Sequence, residues 1–248
     1  MQWLRSVVFT AFMFAWTLAY AIFFVLVSWA VPLPQRFAMV RWYGARMLDA
    51  LRVLCKLDFV VEGLENIPSQ PHVSYWKHSS SWEVFAQFLI GPPKVIVLKR
   101  ELIYIPFFGW GLMLLRSVAV DRGAGASAVN QVVAQGHARL DEGLSMLIFP
   151  EGTRSQDGVI TAPKAGAGLL ACRSGVPVVP IHIRGARDML PRGANFPLGS
   201  ARIRVRFGRA MQPAEYDPGS DHADRSIEAS RRILERIKSL PDCDDLGL

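Results

Sequence analysis

A histidine and a glutamate five positions apart, His78 and Glu83, form the first pair in this 248-residue chain able to do chemistry together. On a continuous helix they would sit about 140° apart and could not touch. They meet only if His78 precedes a helix and Glu83 lies in its first turn. Ser80-Ser81-Trp82-Glu83 fits that arrangement, having the form of a capping box with Ser80 as N-cap. Glu83 then either closes the box and leaves His78 an ordinary loop residue, or it orients the imidazole. In the second case the carboxylate stabilises the protonated ring, and the other ring nitrogen takes a proton from a substrate hydroxyl. General-base help of this kind supplies about 10²–10⁴ in rate. Backbone amides at the helix start after Ser80 are candidates to stabilise an oxyanion.

The second chemical segment is Phe149-Pro150-Glu151-Gly152-Thr153-Arg154-Ser155. It ends an apolar strand in a turn bearing a carboxylate, a hydroxyl and a guanidinium. Ligands bind at the carboxyl edge of open α/β sheets. The planar fork of arginine suits phosphate oxygens. A surface turn with an incidental ion pair is the plainer alternative. Together the two segments point to an enzyme acting on a phosphorylated substrate. Other signals weigh less. Gly123-Ala124-Gly125-Ala126-Ser127-Ala128 follows a candidate strand as a dinucleotide loop would, but Asp121-Arg122 intervene. His72, His137, His182 and His222 lack zinc spacing, so no metal is expected.

These residues need elements to position them. After residue 57, candidate strands run at Phe59–Glu62, His72–Tyr75, Val95–Leu98, Ser117–Asp121, Met146–Phe149, Val178–Arg184 and Ile203–Phe207. Helical patterns fall at Ser81–Leu89, Ala126–Glu142, Ala165–Arg173 and Ala223–Ser239. Alternation of this sort predicts an α/β fold with a mixed, largely parallel central sheet of about seven strands flanked by helices. The α/β domain is expected over residues 58–240, with an acidic tail at 241–248 that frays.

Residues 1–57 form a different region. From Ser6 to Gln35 no side chain is charged, and a span needs about 20 apolar residues, so this stretch is long enough to enter a bilayer. Arg5 and Ala19-Tyr20-Ala21 resemble a cleaved signal, but the apolar run continues to Val31, too long for one. Residues 36–56 read as an amphipathic helix, with Val40, Tyr43, Met47, Leu51 and Leu54 as its stripe. Arg41, Arg46, Asp49, Arg52 and Lys56 cluster opposite. Such a helix lies in a membrane interface or packs on the protein's own core. Arginines at both ends of the apolar run favour a cytoplasmic domain. The mean hydropathy of +0.22 and net charge of +7 suit anionic partners, with lipid ahead of nucleic acid because few aromatics interleave the basic residues. Three cysteines, Cys55, Cys172 and Cys243, have no metal spacing and cannot all pair, which fits a reducing compartment.

Four blocks in order make the chain resemble the glycerolipid acyltransferase family that includes bacterial 1-acyl-glycerol-3-phosphate acyltransferases. His78 and Glu83 match its His-x4-Asp motif, with glutamate for the commoner aspartate and Lys77 for the usual asparagine. The others are Lys99-Arg100-Glu101-Leu102 through Pro106-Phe107-Phe108-Gly109-Trp110, the run at 149–155, and Val176-Pro177-Val178-Val179-Pro180-Ile181.

The resemblance implies that His78 deprotonates a lysophospholipid hydroxyl, with Glu83 orienting it. The activated oxygen attacks an acyl thioester directly, with no acyl-enzyme, no metal and no cofactor. By the same resemblance Arg154, Lys99 and Arg100 hold the substrate phosphate, and Glu151, Gly152 and Thr153 shape the acceptor site. Lys164 and the run Arg184, Arg187, Arg192, Arg202, Arg204, Arg206 and Arg209 are candidate contacts for headgroups or the acyl carrier, or a solvated basic face. Expected partners are lysophosphatidate, acyl-CoA or acyl carrier protein, and membrane phospholipids at the cytoplasmic face of the inner membrane. Alternatives are a lyso-ornithine or lysophosphatidylglycerol acceptor, a dinucleotide-binding oxidoreductase, and a non-catalytic lipid-binding protein.

Overall fold

A computed structural model describes residues 2–78, 80–150, 152, 165–186, 202–219 and 224–240. The uncharged N-terminus folds as helix α1 (Gln2–Ser28) and, past a turn at Pro32, as the start of α2 (Leu33–Cys55). Pro34 sits in the first turn of α2, where a missing N–H costs no hydrogen bond. Residues Trp3–Ser28 reach a mean hydropathy of 2.1, and most of them are unburied. At 1.5 Å per residue such a helix is long enough to cross a hydrocarbon core of about 30 Å.

Helix α2 buries its apolar stripe against the protein itself. Val40, Tyr43, Met47 and Leu51 are buried and Leu54 is half-buried, while Arg41, Arg46, Asp49, Arg52 and Lys56 face solvent. Each large side chain fully buried in this way contributes about 1.5–3 kcal/mol. The helix seats α3 (Trp82–Leu89) closely because position 44 is glycine. A Cβ there would lie 3.0 Å from the Phe85 carbonyl oxygen.

The described residues form a seven-stranded sheet: β1 (Asp58–Glu62), β2 (Val73–Trp76), β3 (Lys94–Lys99), β4 (Val118–Val120), β5 (Ser145–Ile148), β6 (Val178–Arg184) and β7 (Arg202–Phe207). Their spatial order is β1-β7-β6-β2-β5-β3-β4, and every pair is parallel except β6 with β7. Strand β2 is buried throughout, as suits the centre of a sheet covered on both faces. The remaining helices are α4 (Phe108–Leu114), α5 (Ala126–Asp141), α6 (Ala165–Ser174), α7 (Pro213–Tyr216) and α8 (Arg225–Lys238). Right-handed crossovers put α3 and α4 on one face, because β2, β3 and β4 progress in one direction across the sheet. Progress from β4 to β5 and from β5 to β6 runs the other way, which puts α5 and α6 on the opposite face.

The mixed α/β sheet and all seven strands were legible from pattern, with ends shifted by a residue or two. Helix α4 was not. Gly109 and Gly111 weaken its helical signature. Packing requires Gly109, where a Cβ would lie 2.4 Å from the Leu102 carbonyl oxygen, and at Gly111 a Cβ would crowd the Phe24 ring at 3.2 Å.

Candidate functional site

Strand β2 delivers His78 to the carboxyl edge of the sheet, two residues after Trp76. Ser81 takes a helical turn (φ −74°, ψ −16°) and α3 begins at Trp82. The His78 Nδ1–H donates to Glu83 Oε2 at 2.7 Å, and Glu83 Oε1 accepts the Ser80 N–H at 3.0 Å. One fully buried carboxylate therefore performs both jobs that the spacing allowed. The expected cap is shifted, however. Ser80 is not the residue adjoining the helix, and its hydroxyl accepts the Trp82 N–H at 3.2 Å, one residue earlier than a capping box requires. The extra helical residue at Ser81 is the cause.

The oxyanion role expected of the amides after Ser80 is also narrowed. Ser80, Trp82 and Val84 donate to Glu83, the Ser80 hydroxyl and the Ser81 carbonyl respectively. Those three are committed internally.

One further group steadies the pair, and another closes the helix that carries Glu83. Phe149, just past β5, stacks on the imidazole with ring centroids 4.0 Å apart, fixing the ring plane and offering its π face to an imidazolium. At the far end of α3, the buried Lys94 ammonium donates to the carbonyls of Gln87 (3.1 Å), Ile90 (2.7 Å) and Pro92 (2.9 Å). Burial, then Arg41, pull the Lys94 pKa down to about 7. Three carbonyl acceptors and a helix C-terminus oppose that pull.

Because β2, β5, β3 and β4 are parallel neighbours, residues at their carboxyl ends line up along one edge: His78, Phe149, Lys99 and Arg122. All four line a cavity of about 520 Å³ whose other walls come from α1, α2, α3 and α4, including Phe14, Thr17, Tyr43, Phe88 and Leu112. A second cavity of about 320 Å³ on the α5–α6 side shares Val97, Arg122 and Phe149 with the first. Arg122 is thus the cation at the junction, and among the described residues it makes no ion pair within 4 Å. Burial lowers its pKa and nearby Glu101 raises it. In the sequence alone Arg122 stands out only as an interruption before a glycine loop. The available signal was a guanidinium at a predicted strand's carboxyl end, the same logic that singled out Arg154.

The other expected residues divide. Lys99 lines the cavity while its Nζ pairs with Glu101 at 2.8 Å. Arg100 reaches Asp121 at 3.5 Å and lines neither cavity. Gly152 makes the turn after β5, with φ +67° and its N–H donating to the Phe149 carbonyl at 3.0 Å. Glu151, Thr153, Arg154 and Lys164, with Arg187 and Arg192 of the basic run, lie outside the described residues. Within that run, Arg206 is clamped to Glu62 through Nε (3.0 Å) and Nη2 (2.7 Å), and Arg209 to Glu215 at 2.6 Å. Those two staple the fold. The dinucleotide alternative fails on topology: β3 separates β4 from β5, whereas that motif needs its two strands side by side.

The family described as Acyltransferase matches residues 58–184. Among curated relatives, the 1-acyl-sn-glycerol-3-phosphate acyltransferase of Pseudomonas aeruginosa is 39% identical over 214 residues, covering 85% of this chain and 81% of that one. A Saccharomyces cerevisiae protein of the same name is 28% identical over 216 residues, 85% of this chain and 71% of its own. Of the chloroplastic Brassica napus relative, 30% identical, this chain spans only 51%. The crystal structure of the 1-acyl-sn-glycerophosphate acyltransferase PlsC from Thermotoga maritima has the same fold, with a TM-score of 0.75 at 22% identity over 98% of this chain and 100% of that one.

Proposed function

The chain belongs to the acyltransferase family, and from that premise we propose that it moves an acyl chain from an acyl thioester to the sn-2 hydroxyl of lysophosphatidate, giving phosphatidate. The observation that carries this reading is the Glu83-bound imidazole of His78, which shares with Arg122 the wall of a largely apolar cavity. Nδ1 is committed to the carboxylate, so Nε2 takes the hydroxyl proton. The oxygen attacks the thioester carbonyl, the tetrahedral adduct collapses, and the thiolate leaves with the proton from the imidazolium. Neither metal nor nucleotide enters the balance. Gly-x-Ser-x-Gly does not occur in the sequence, in keeping with direct transfer.

Arg122 joins Lys99 and Arg154 as the phosphate-holding set, Arg100 being drawn to Asp121 and lining neither cavity, while Glu151, Gly152 and Thr153 shape the acceptor site and Lys164 contacts a headgroup or the carrier. The aliphatic and aromatic walls of the 520 Å³ cavity suit a hydrocarbon chain. Residues 1–57 attach the enzyme to the membrane and 58–240 perform the transfer. The arginines that bracket α1 favour the cytoplasmic face of the inner membrane, where acyl-CoA and acyl carrier protein are both at hand. A panel crossing lysophosphatidate, lysophosphatidylglycerol and lyso-ornithine lipid with both donors tests the assignment. Turnover is expected to be fastest with lysophosphatidate. No turnover with it from either donor would sink the reading.

A further inference from the structure

From Leu102 through Leu115 fourteen consecutive residues carry no charge, a run bracketed by Arg100-Glu101 and Arg116. A run of about 10–14 apolar residues is either a core helix or an interfacial segment. Its two faces show which. Leu102, Phe108 and Leu112 point inward and line the His78 cavity. On the outer side Tyr104 is 65% exposed, Ile105 46%, Trp110 48% and Met113 42%. Trp110 and Met113 are three apart on α4 and so share a side. Just ahead of them Phe107 holds a left-handed backbone (φ +59°) that bulky residues rarely adopt, with its ring 5.1 Å from that of Trp110. A strained turn that presents aromatics to the outside is a poor use of a core helix.

This face is continuous with α1. A Cβ on Gly111 would meet the Phe24 ring at 3.2 Å, so α4 sits directly on the C-terminal half of α1. Phe23 and Leu26, which flank the buried Phe24 and Val25, are exposed, as is Trp29. The Arg36 guanidinium, in the first turn of α2, ties down the end of α4 by donating to the Leu114 carbonyl at 3.2 Å. Whatever depth α1 reaches in a bilayer, α4 is carried with it. Tyr and Trp on the outer face, with charges only at the ends of the run, match the headgroup level of a membrane.

We propose that Leu102–Leu115 is a second bilayer-contacting element, so that one short segment is a lipid-facing surface outside and a wall of the catalytic cavity inside. A lipid acceptor then reaches His78 from the membrane without crossing water. Lipid contact is independent of which acceptor is used; only the kinetic consequence rests on the function proposed above.

The test uses the full chain in phosphatidylcholine–phosphatidylglycerol vesicles. An environment-sensitive NBD label is placed at Met113→Cys in a Cys243→Ser background, Cys55 and Cys172 being buried. Leu26→Cys serves as the α1 reference and Arg231→Cys, exposed on α8, as the aqueous one. Blue-shifted emission at 113, quenched by acyl-brominated lipid as at 26, is the expected result. Water-like, unquenched emission at 113 with quenching at 26 would overturn the proposal. Water-like emission at both would overturn it along with bilayer entry by α1. In kinetics, Trp110→Glu should raise KM for a vesicle-embedded acceptor about tenfold. KM and kcat for a short-chain, water-soluble acceptor should stay within about twofold, and equal loss with both acceptors would refute the lipid-contact role.

Discussion

Two histidines bracket strand β2, and they have opposite fates. His72, at the amino end, is 1% exposed, with Nδ1 3.0 Å from the Gln70 carbonyl and 3.2 Å from the Ser145 hydroxyl. Burial is the main reason its pKa is lowered; the Gln70 carbonyl opposes and Lys94 adds to the fall. His78, at the carboxyl end, keeps 17% of its side chain exposed, faces a carboxylate at 2.7 Å and opens on a cavity. A ring held neutral among carbonyl and hydroxyl groups can only brace a strand. A ring paired with an acid and facing a substrate-sized space can pick up a proton and return it. On the function proposed above, the base is marked by its partner and its opening, not by burial.

The largest effect should come from His78→Ala, with kcat lowered by about 10³–10⁴ while the fold persists; single-turnover assays with the melting temperature as control would check it. Retention of rate would erase the distinction between the two rings. Glu83→Gln keeps the size and removes the charge, and about a 10²-fold loss in kcat is expected. Glu83→Asp should recover part of that loss, because the shorter arm must choose between Ser80 and His78. Arg122→Ala comes next, raising KM for a phosphorylated acceptor by about tenfold or more with kcat less affected, as for loss of a charge-assisted hydrogen bond. An unchanged KM would remove Arg122 from the phosphate site.

At the opposite end of the strand, His72→Gln should leave kcat within about twofold and cost about 1–3 kcal/mol of stability, read from denaturant midpoints. The smallest effect is its pH dependence. A histidine whose folded pKa lies below its unfolded value of about 6.5 is protonated first in the unfolded chain. Stability from this residue is therefore present above that value and lost as pH falls below it, by at most about 1.4 kcal/mol per pH unit. Denaturation at pH 7 and pH 5 should show a smaller drop for His72→Gln than for the parent protein. Equal drops would show that His72 does not respond to acid.

Much of this molecule is written locally. Seven short runs, some apolar throughout and some alternating, read as strands because side-chain alternation and burial are properties of a few consecutive residues. The charge-free stretch from Ser6 to Gln35 declares α1, and the five-residue spacing of His78 and Glu83 already confines them to a loop–helix junction. Helix α4 is not legible because its glycines serve close packing, Gly109 against the Leu102 carbonyl and Gly111 against the distant Phe24 ring, which residue propensity does not weigh. The same holds for α2, whose stripe suited a lipid interface as well as a core until α3 was seen against Gly44.

What the sequence by itself determined, then, is which segments become strands or helices and which single junction can hold an acid beside an imidazole. Only the tertiary structure decided that β2, β5, β3 and β4 are neighbours in that order, which brings Arg122, forty-four positions away, into the cavity of His78. It also decided that Arg206 belongs to Glu62 and not to a ligand. The reason is one of range. Periodicity is set by bonded neighbours, whereas strand order follows from how the whole chain buries its apolar surface, a sum over contacts between distant segments.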